Sequence, residues 1–270
     1  MRAQPVPSDH SKFELALRSA ARLPGVRVNR AEYLRKALSK YFAPDVVERA
    51  IATSPAHAGI SVNAIKPIAK SCVNYETAQV SATSAAAGIP GGFALAGTIP
   101  ADVVQYFGHI VRVLQKLAYL YGWREMFRDG RDELDDGTAN QLTLFVGVMF
   151  GVNSANAALA KIAEVAAHNV PEKLMQEVLT KNLLYRIVNQ IAKAIGVTMT
   201  KTAFTQAVGK VIPVVGAVVS GGVTFATFKP MSNRLRKYLA GLPTATVGYV
   251  PNPHENASVL DLDFSDIDYQ

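Results

Sequence analysis

Leu142-Thr143-Leu144-Phe145-Val146-Gly147-Val148-Met149-Phe150-Gly151 lies inside a run, Gly137 to Ala160, that holds no charged residue. A membrane span needs roughly 20 predominantly apolar residues. This run carries Asn153, Ser154 and Asn156 in its later half, which makes it a poor span. The pattern predicts a close-packing helical hairpin instead. Gly147 and Gly151 stand four apart, a spacing that lets two helix backbones approach. The same spacing also marks tight helix crossings in an ordinary core.

Two further stretches share this character. Between Glu76 and Asp102 there is no charge, and the centre reads Ala85-Ala86-Ala87-Gly88-Ile89-Pro90-Gly91-Gly92-Phe93-Ala94-Leu95-Ala96-Gly97. Pro90 and the paired glycines predict two helical pieces joined by a tight turn. The third stretch, Val211 to Phe228, contains Pro213, Gly216 and the Gly221–Gly222 pair, which should interrupt it as well. Three readings stand side by side: hairpins dipping into one leaflet, a fully buried core, and true spans. Exposure of Phe93, Leu95, Phe145, Phe150 and Val218 would favour lipid or partner contact.

Outward from these stretches, helical periodicity dominates and the fold class is all-α, a multi-helix bundle with Gly/Ala-rich hydrophobic hairpins. Residues 1–10 read as a flexible lead, and residues 11–240 as one helical domain. Asn29 is a plausible N-cap for a helix reaching Phe42, and Pro44 suits the first turn of the next helix. The longest helix follows Pro100, from Ala101 to Gly122. Its apolar face runs through Val103, Phe107, Ile110, Val111, Leu114 and Leu117. Opposite lies a polar stripe, Asp102, Gln105, His109, Arg112 and Lys116, at steps of three and four. Facing a cavity, Asp102, His109 and Arg112 would bind an anion or relay a proton. Facing solvent, the stripe is the wet side of an amphipathic helix. Further helices are predicted at Asn153–Ala167, Glu172–Leu179, Leu183–Ile195, Thr198–Val208 and Met231–Leu239, with strand-like alternation only around Thr244–Val250.

Charge is unevenly spread. The chain carries +7, yet residues 251–270 hold Glu255, Asp261, Asp263, Asp266 and Asp268 and no Lys or Arg. Setting these five aside leaves +12 on residues 1–250. A basic body with an acidic, disordered tail over 241–270 suits an anionic surface as partner. Tyr119, Tyr121 and Trp123, followed by Arg124 and Arg128, have the composition of a membrane-interface belt. Packed aromatics at a helix end would give the same pattern.

Common chemistries are absent from the sequence. There is no phosphate-cradling GxxxxGK[ST], no GxSxG and no HExxH. The histidines, His10, His57, His109, His168 and His254, have no metal-ligand spacing, and the lone Cys72 cannot form a thiolate zinc site. No metal, cofactor or catalytic residue is assigned, and the basic residues form no nucleic-acid recognition motif. Met1 to Lys12 lacks an apolar signal core, which predicts a cytoplasmic chain.

The run Gly88-Ile89-Pro90-Gly91-Gly92-Phe93, then Ile99-Pro100-Ala101-Asp102, then Leu117-Ala118-Tyr119-Leu120-Tyr121-Gly122-Trp123, resembles the EcsC family of bacterial proteins. Leu144 to Gly151 is similar to that family's second glycine-containing segment. Val211-Ile212-Pro213-Val214-Val215-Gly216-Ala217, with Gly221–Gly222 after it, is similar to its third. The resemblance covers roughly residues 60–240. It implies a helical bacterial protein associated with the cytoplasmic membrane, and it carries over no catalytic residue.

Together these features predict a non-enzymatic protein peripheral to the inner face of the cytoplasmic membrane. Its partner would be an anionic membrane surface or a membrane protein. Two alternatives place a lipid or other apolar ligand in an internal cavity, or release the hairpins as a pore-forming or toxin-immunity protein. An enzyme centred on Asp102 and His109 is a further possibility.

Overall fold

The computed structural model describes residues 9–87, 101–127, 134–167, 182–194 and 213–249. The described residues are helical, with no strand among them. In chain order the helices are α1 (Asp9–Ala21), α2 (Arg30–Leu38), α3 (Pro44–Ala52), α4 (Val62–Ala87), α5 (Ala101–Leu120), α6 (Asp136–Phe150), α7 (Asn153–Ala167), α8 (182–194) and α9 (Pro213–Leu239). A short 3-10 turn, Pro243–Ala245, follows.

Helix α5 is the hub. It packs against α1, α2, α4, α6 and α9, and it buries Phe107, Ile110, Val111, Leu114, Leu117 and Tyr119. The predicted apolar face is therefore real, but it is wider than one stripe, because Val113 and Gln115 are fully buried too. Phe13 of α1 meets Phe107 edge to face, with ring centroids 5.8 Å apart. Tyr106 meets Phe228 of α9 in the same way at 6.1 Å.

Local signals set several helix starts as expected. The Asn29 side chain accepts a hydrogen bond from the Glu32 N–H at 2.9 Å, satisfying a donor the helix cannot. Pro44 occupies the first turn of α3, where its missing N–H costs nothing. Asp135 caps α6 by accepting from the Thr138 N–H at 2.9 Å.

The run Gly137–Ala160 does form a helical hairpin, α6 and α7, turning at Gly151-Val152. Gly151 has φ +79, a left-handed conformation that favours glycine. The Val152 N–H reaches back to the Gly147 carbonyl at 2.9 Å, and the Gly151 N–H to the Val148 carbonyl at 3.1 Å. This paired closure satisfies two carbonyls at the helix end. Arg234 of α9 donates to the Met149 carbonyl at 2.5 Å, a cation at the negative end of α6. The two glycines thus do different jobs, and only Gly147 is a close-packing position. A Cβ there would lie 2.5 Å from Ala155 Cβ and 3.3 Å from Ile187 Cγ2.

Gly147→Ala should therefore force α6 and α7 apart. Overpacking costs about 1–3 kcal/mol, and helix propensity returns about 1 kcal/mol. Ala155 Cβ cannot rotate away, which places the cost at the upper end, so the expected net loss is about 1–2 kcal/mol in urea denaturation. An unchanged midpoint would show that the two helices are not this close.

Several expectations are corrected. Helix α9 runs unbroken from Pro213 through Gly216 and Gly221–Gly222 to Leu239. Pro213 sits at its first position, and packing along α4 outweighs the weak helix propensity of glycine. The stretch Thr244–Val250 is not strand-like; it begins in the 3-10 turn and continues in turns as far as Tyr249. The domain does not end at 240, since Leu242 and Ala245 are buried and the 3-10 turn packs on α7. The Thr244 carbonyl lies so close to Gly122 that a Cβ on that glycine would meet it at 2.2 Å. Helix α5 ends at Leu120, two residues short of the expected Gly122, which has φ +91 and lies in the turn that follows, and α4 and α9 are both longer than α5. The predicted helices Glu172–Leu179 and Thr198–Val208, and the acidic tail from 251, lie outside the described residues.

Candidate anion-binding site

The site begins with one carboxylate that periodicity did not single out. Glu76, on α4, is fully buried. Its Oε1 accepts from Lys116 Nζ at 2.5 Å and from Arg112 Nη2 at 3.3 Å. Arg112 and Lys116 stand four apart on α5, so both project toward α4. Two cations share one oxygen, while Oε2 is buried with no hydrogen-bond partner. Charge is thus not balanced within the triad: one carboxylate faces two cations. The cations keep part of their surface in solvent, 27% for Arg112 and 15% for Lys116.

Lys116 is further held by aromatic rings. Its Nζ lies 5.6 Å from the Tyr33 ring centroid and 5.7 Å from that of Tyr75, within cation–π range. Cys72, one turn before Glu76, is half-buried. Burial pushes its thiol up to about 11, so it stays protonated and unreactive at neutral pH.

Arg112 and Lys116 also reach the edge of an open pocket of about 300 Å³. Arg27, Glu32, Tyr33 and Lys36 line the same pocket. Four cations therefore meet one surface carboxylate there. The loop that carries Arg27 is fixed by Gln115 of α5, itself fully buried. Gln115 accepts from the Val28 N–H at 2.9 Å and donates to the Val26 carbonyl at 2.9 Å. Arg27 Nε donates to the Ala21 carbonyl at 3.1 Å, and its guanidinium lies 5.1 Å from the Phe127 ring centroid. Helix α2 starts at the pocket, so its positive end adds to the field. A preorganised cluster of this kind suits a compact, multiply charged anion.

The predicted stripe is thus divided. Arg112 and Lys116 come together with Glu76. Gln105 is exposed, and the side chain of Asp102 lies outside the described residues. His109 is half-buried, and its Nδ1 is buried without a partner. Burial holds the imidazole below its ordinary value of 6.5; Glu76 opposes this and Arg112 adds to it. The unfolded chain consequently binds that proton more tightly than the native one. The stabilisation is complete above pH 6.5 and is lost as pH falls through the folded value. Between about pH 7.5 and about pH 5, wild type should lose more stability than His109→Leu, since only wild type titrates there at this position. Equal losses in urea denaturation would contradict the burial of this ring.

The apolar candidates are placed as follows. Phe145 and Trp123 are buried and pack on each other edge to face, with centroids 4.9 Å apart. Their assignment as lipid contacts is corrected: both are core, because the α6–α7 hairpin folds against α5 and α9 rather than facing outward. Phe150 is half-buried against the same core. Arg124 is exposed beside Trp123. Phe93 and Leu95 lie outside the described residues, as does the side chain of Val218.

Among the described residues no helix is long and apolar enough to cross a membrane, and no group of three His, Cys, Asp or Glu could hold a metal. Comparison with models of known protein families, with curated proteins and with solved structures finds no match, so the resemblance to the EcsC family rests on the sequence motifs alone.

Proposed function

We propose that the protein is a non-enzymatic, peripheral membrane protein that binds an anionic surface through its basic side, in keeping with its resemblance to the EcsC family. The observation that carries this reading is the convergence of Arg27, Lys36, Arg112 and Lys116 on one open pocket. The excess of positive charge on residues 1–250 supports it, because it draws the whole body toward anionic headgroups. In this reading α6 and α7 stay folded as core. Membrane attachment is then mainly electrostatic, with any shallow apolar contact left to the uncharged stretch around Phe93 and Leu95.

Such binding has a definite salt signature. The protein should co-sediment with phosphatidylglycerol vesicles at low ionic strength and stay in solution with phosphatidylcholine vesicles. It should be released at about 1 M salt, where the Debye length is about 3 Å. Absence of binding at low salt, with the helical circular dichroism intact, would contradict the reading. Binding that resists salt would favour insertion of a hydrophobic hairpin.

A further inference from the structure

We propose that the pocket between α2 and α5 is a specific site for a phosphate monoester, and that Glu76 tunes its affinity as a built-in counter-ion. The proposal deepens the surface-binding reading by naming the group that the basic side recognises. A phosphate monoester carries close to two charges at neutral pH and offers three acceptor oxygens. Arg27, Lys36, Arg112 and Lys116 line about 300 Å³ together with one carboxylate, the exposed Glu32, so cations outnumber acids around it. That volume accepts a phosphate with a small polar substituent such as glycerol, and lies at the small end of ligand pockets.

Two features distinguish this pocket from scattered surface charge. Its lining is preorganised, because Gln115 clamps the Arg27 loop onto the same helix that carries Arg112 and Lys116. Its charge is also unbalanced by construction. Glu76 engages both α5 cations through Oε1 alone, from a fully buried position that is not part of the pocket lining. An arriving phosphate would share those cations with Glu76, so removing the carboxylate's charge should strengthen the site. Arginine and lysine serve it differently. An arginine guanidinium can share its five N–H donors between a protein acceptor and a phosphate, as Arg112 would between Glu76 and the ligand, and the lysines act as point charges.

The test uses the full chain with glycerol 3-phosphate and inorganic phosphate in solution, and with vesicles containing phosphatidic acid or phosphatidylglycerol. The variants are Arg27→Gln with Lys36→Gln, neither of which touches Glu76, and separately Glu76→Gln. The expected result is saturable binding at one site, weakened about tenfold for each cation removed. Glu76→Gln should bind more tightly; should it fail to fold, the Arg27→Gln/Lys36→Gln double variant decides alone, with its melting temperature as the folding control. Binding of soluble phosphate that the double variant loses supports the pocket with a free phosphate as ligand. Binding only to phosphatidic acid vesicles, again lost in the double variant, supports it with a lipid headgroup as ligand. Phosphate binding of undiminished strength in the double variant, or no phosphate binding in any form, overturns the pocket. Vesicle binding that survives the double variant leaves the surface reading standing without the pocket. Soluble binding without vesicle binding does the reverse.

Discussion

Replacing Glu76 by alanine should cost about 2–4 kcal/mol of folding stability, chiefly through the two cations it leaves behind. Its carboxylate is fully buried and satisfies two cations from α5. Removing one partner of a buried ion pair typically costs about 3–5 kcal/mol, because the remaining charge is left in a poorly solvated place. Here Arg112 and Lys116 retain some contact with water, which lowers the figure. The carboxylate's own desolvation, with Oε2 unpaired, is relieved as well. Glu76→Gln should cost less than alanine, since an amide oxygen still accepts from one cation. Urea denaturation with an unchanged m-value checks both. A loss below about 0.5 kcal/mol for Glu76→Ala would mean that the triad is solvated and that α4 does not seat on α5 as described.

Arg30→Ala should be costlier still, about 3–5 kcal/mol, and for a reason confined to the backbone. The guanidinium is buried and donates to four carbonyls: Ile51 at 2.7 Å, Thr53 at 2.9 Å, Trp123 at 3.0 Å and Ala50 at 3.3 Å. Three of these belong to the C-terminal end of α3, which the helix itself cannot satisfy. One planar cation thus caps α3, complements its dipole and ties it to the segment after α5. The Arg30 N–H in turn donates to Glu125 Oε2 at 2.8 Å, and Glu125 Oε1 accepts from the Tyr119 hydroxyl at 2.7 Å. Alanine leaves the carbonyls buried and unpaired. Lysine keeps the charge but not the fork, so Arg30→Lys should recover less than half of the loss. Full rescue by lysine would show that charge alone matters there.

The difference between these two residues and the rest of the chain explains what could be read from sequence. Asn29, Pro44 and the start of α7 at Asn153 are local signals, decided within one turn of chain, and the structure follows them. The uncharged character of Gly137–Ala160 also determined the α6–α7 hairpin. What it could not determine was the partner of that hairpin, because a stripe of apolar residues looks the same whether lipid or another helix covers it. Trp123 and Phe145 went to each other. Gly151 shows a subtler failure: the four-residue spacing from Gly147 predicts a helix face, whereas the second glycine is a left-handed stop.

The site was half legible for the same reason. Arg112 and Lys116 are visible as a polar stripe on α5, but the counterpart that binds them is 36 and 40 residues away on α4. Glu76 did leave a trace, as the last charge before the long uncharged stretch. Gln115 left none, since a lone amide within an apolar helix carries no periodic signal. Arg27 joins the site because Gln115 of α5 holds the loop between α1 and α2, and Lys36 because α2 packs on α5.

In the proposed function the protein meets a membrane with its basic side while the hydrophobic hairpin stays closed. Amide hydrogen exchange over residues 142–149 of α6, measured free and on phosphatidylglycerol vesicles, tests it most directly. The same strong protection is expected in both states, with changes confined to the segments around Arg27, Lys36 and Arg112. Loss of protection in α6 on vesicle binding would contradict it, and would mean that the hairpin opens into the bilayer.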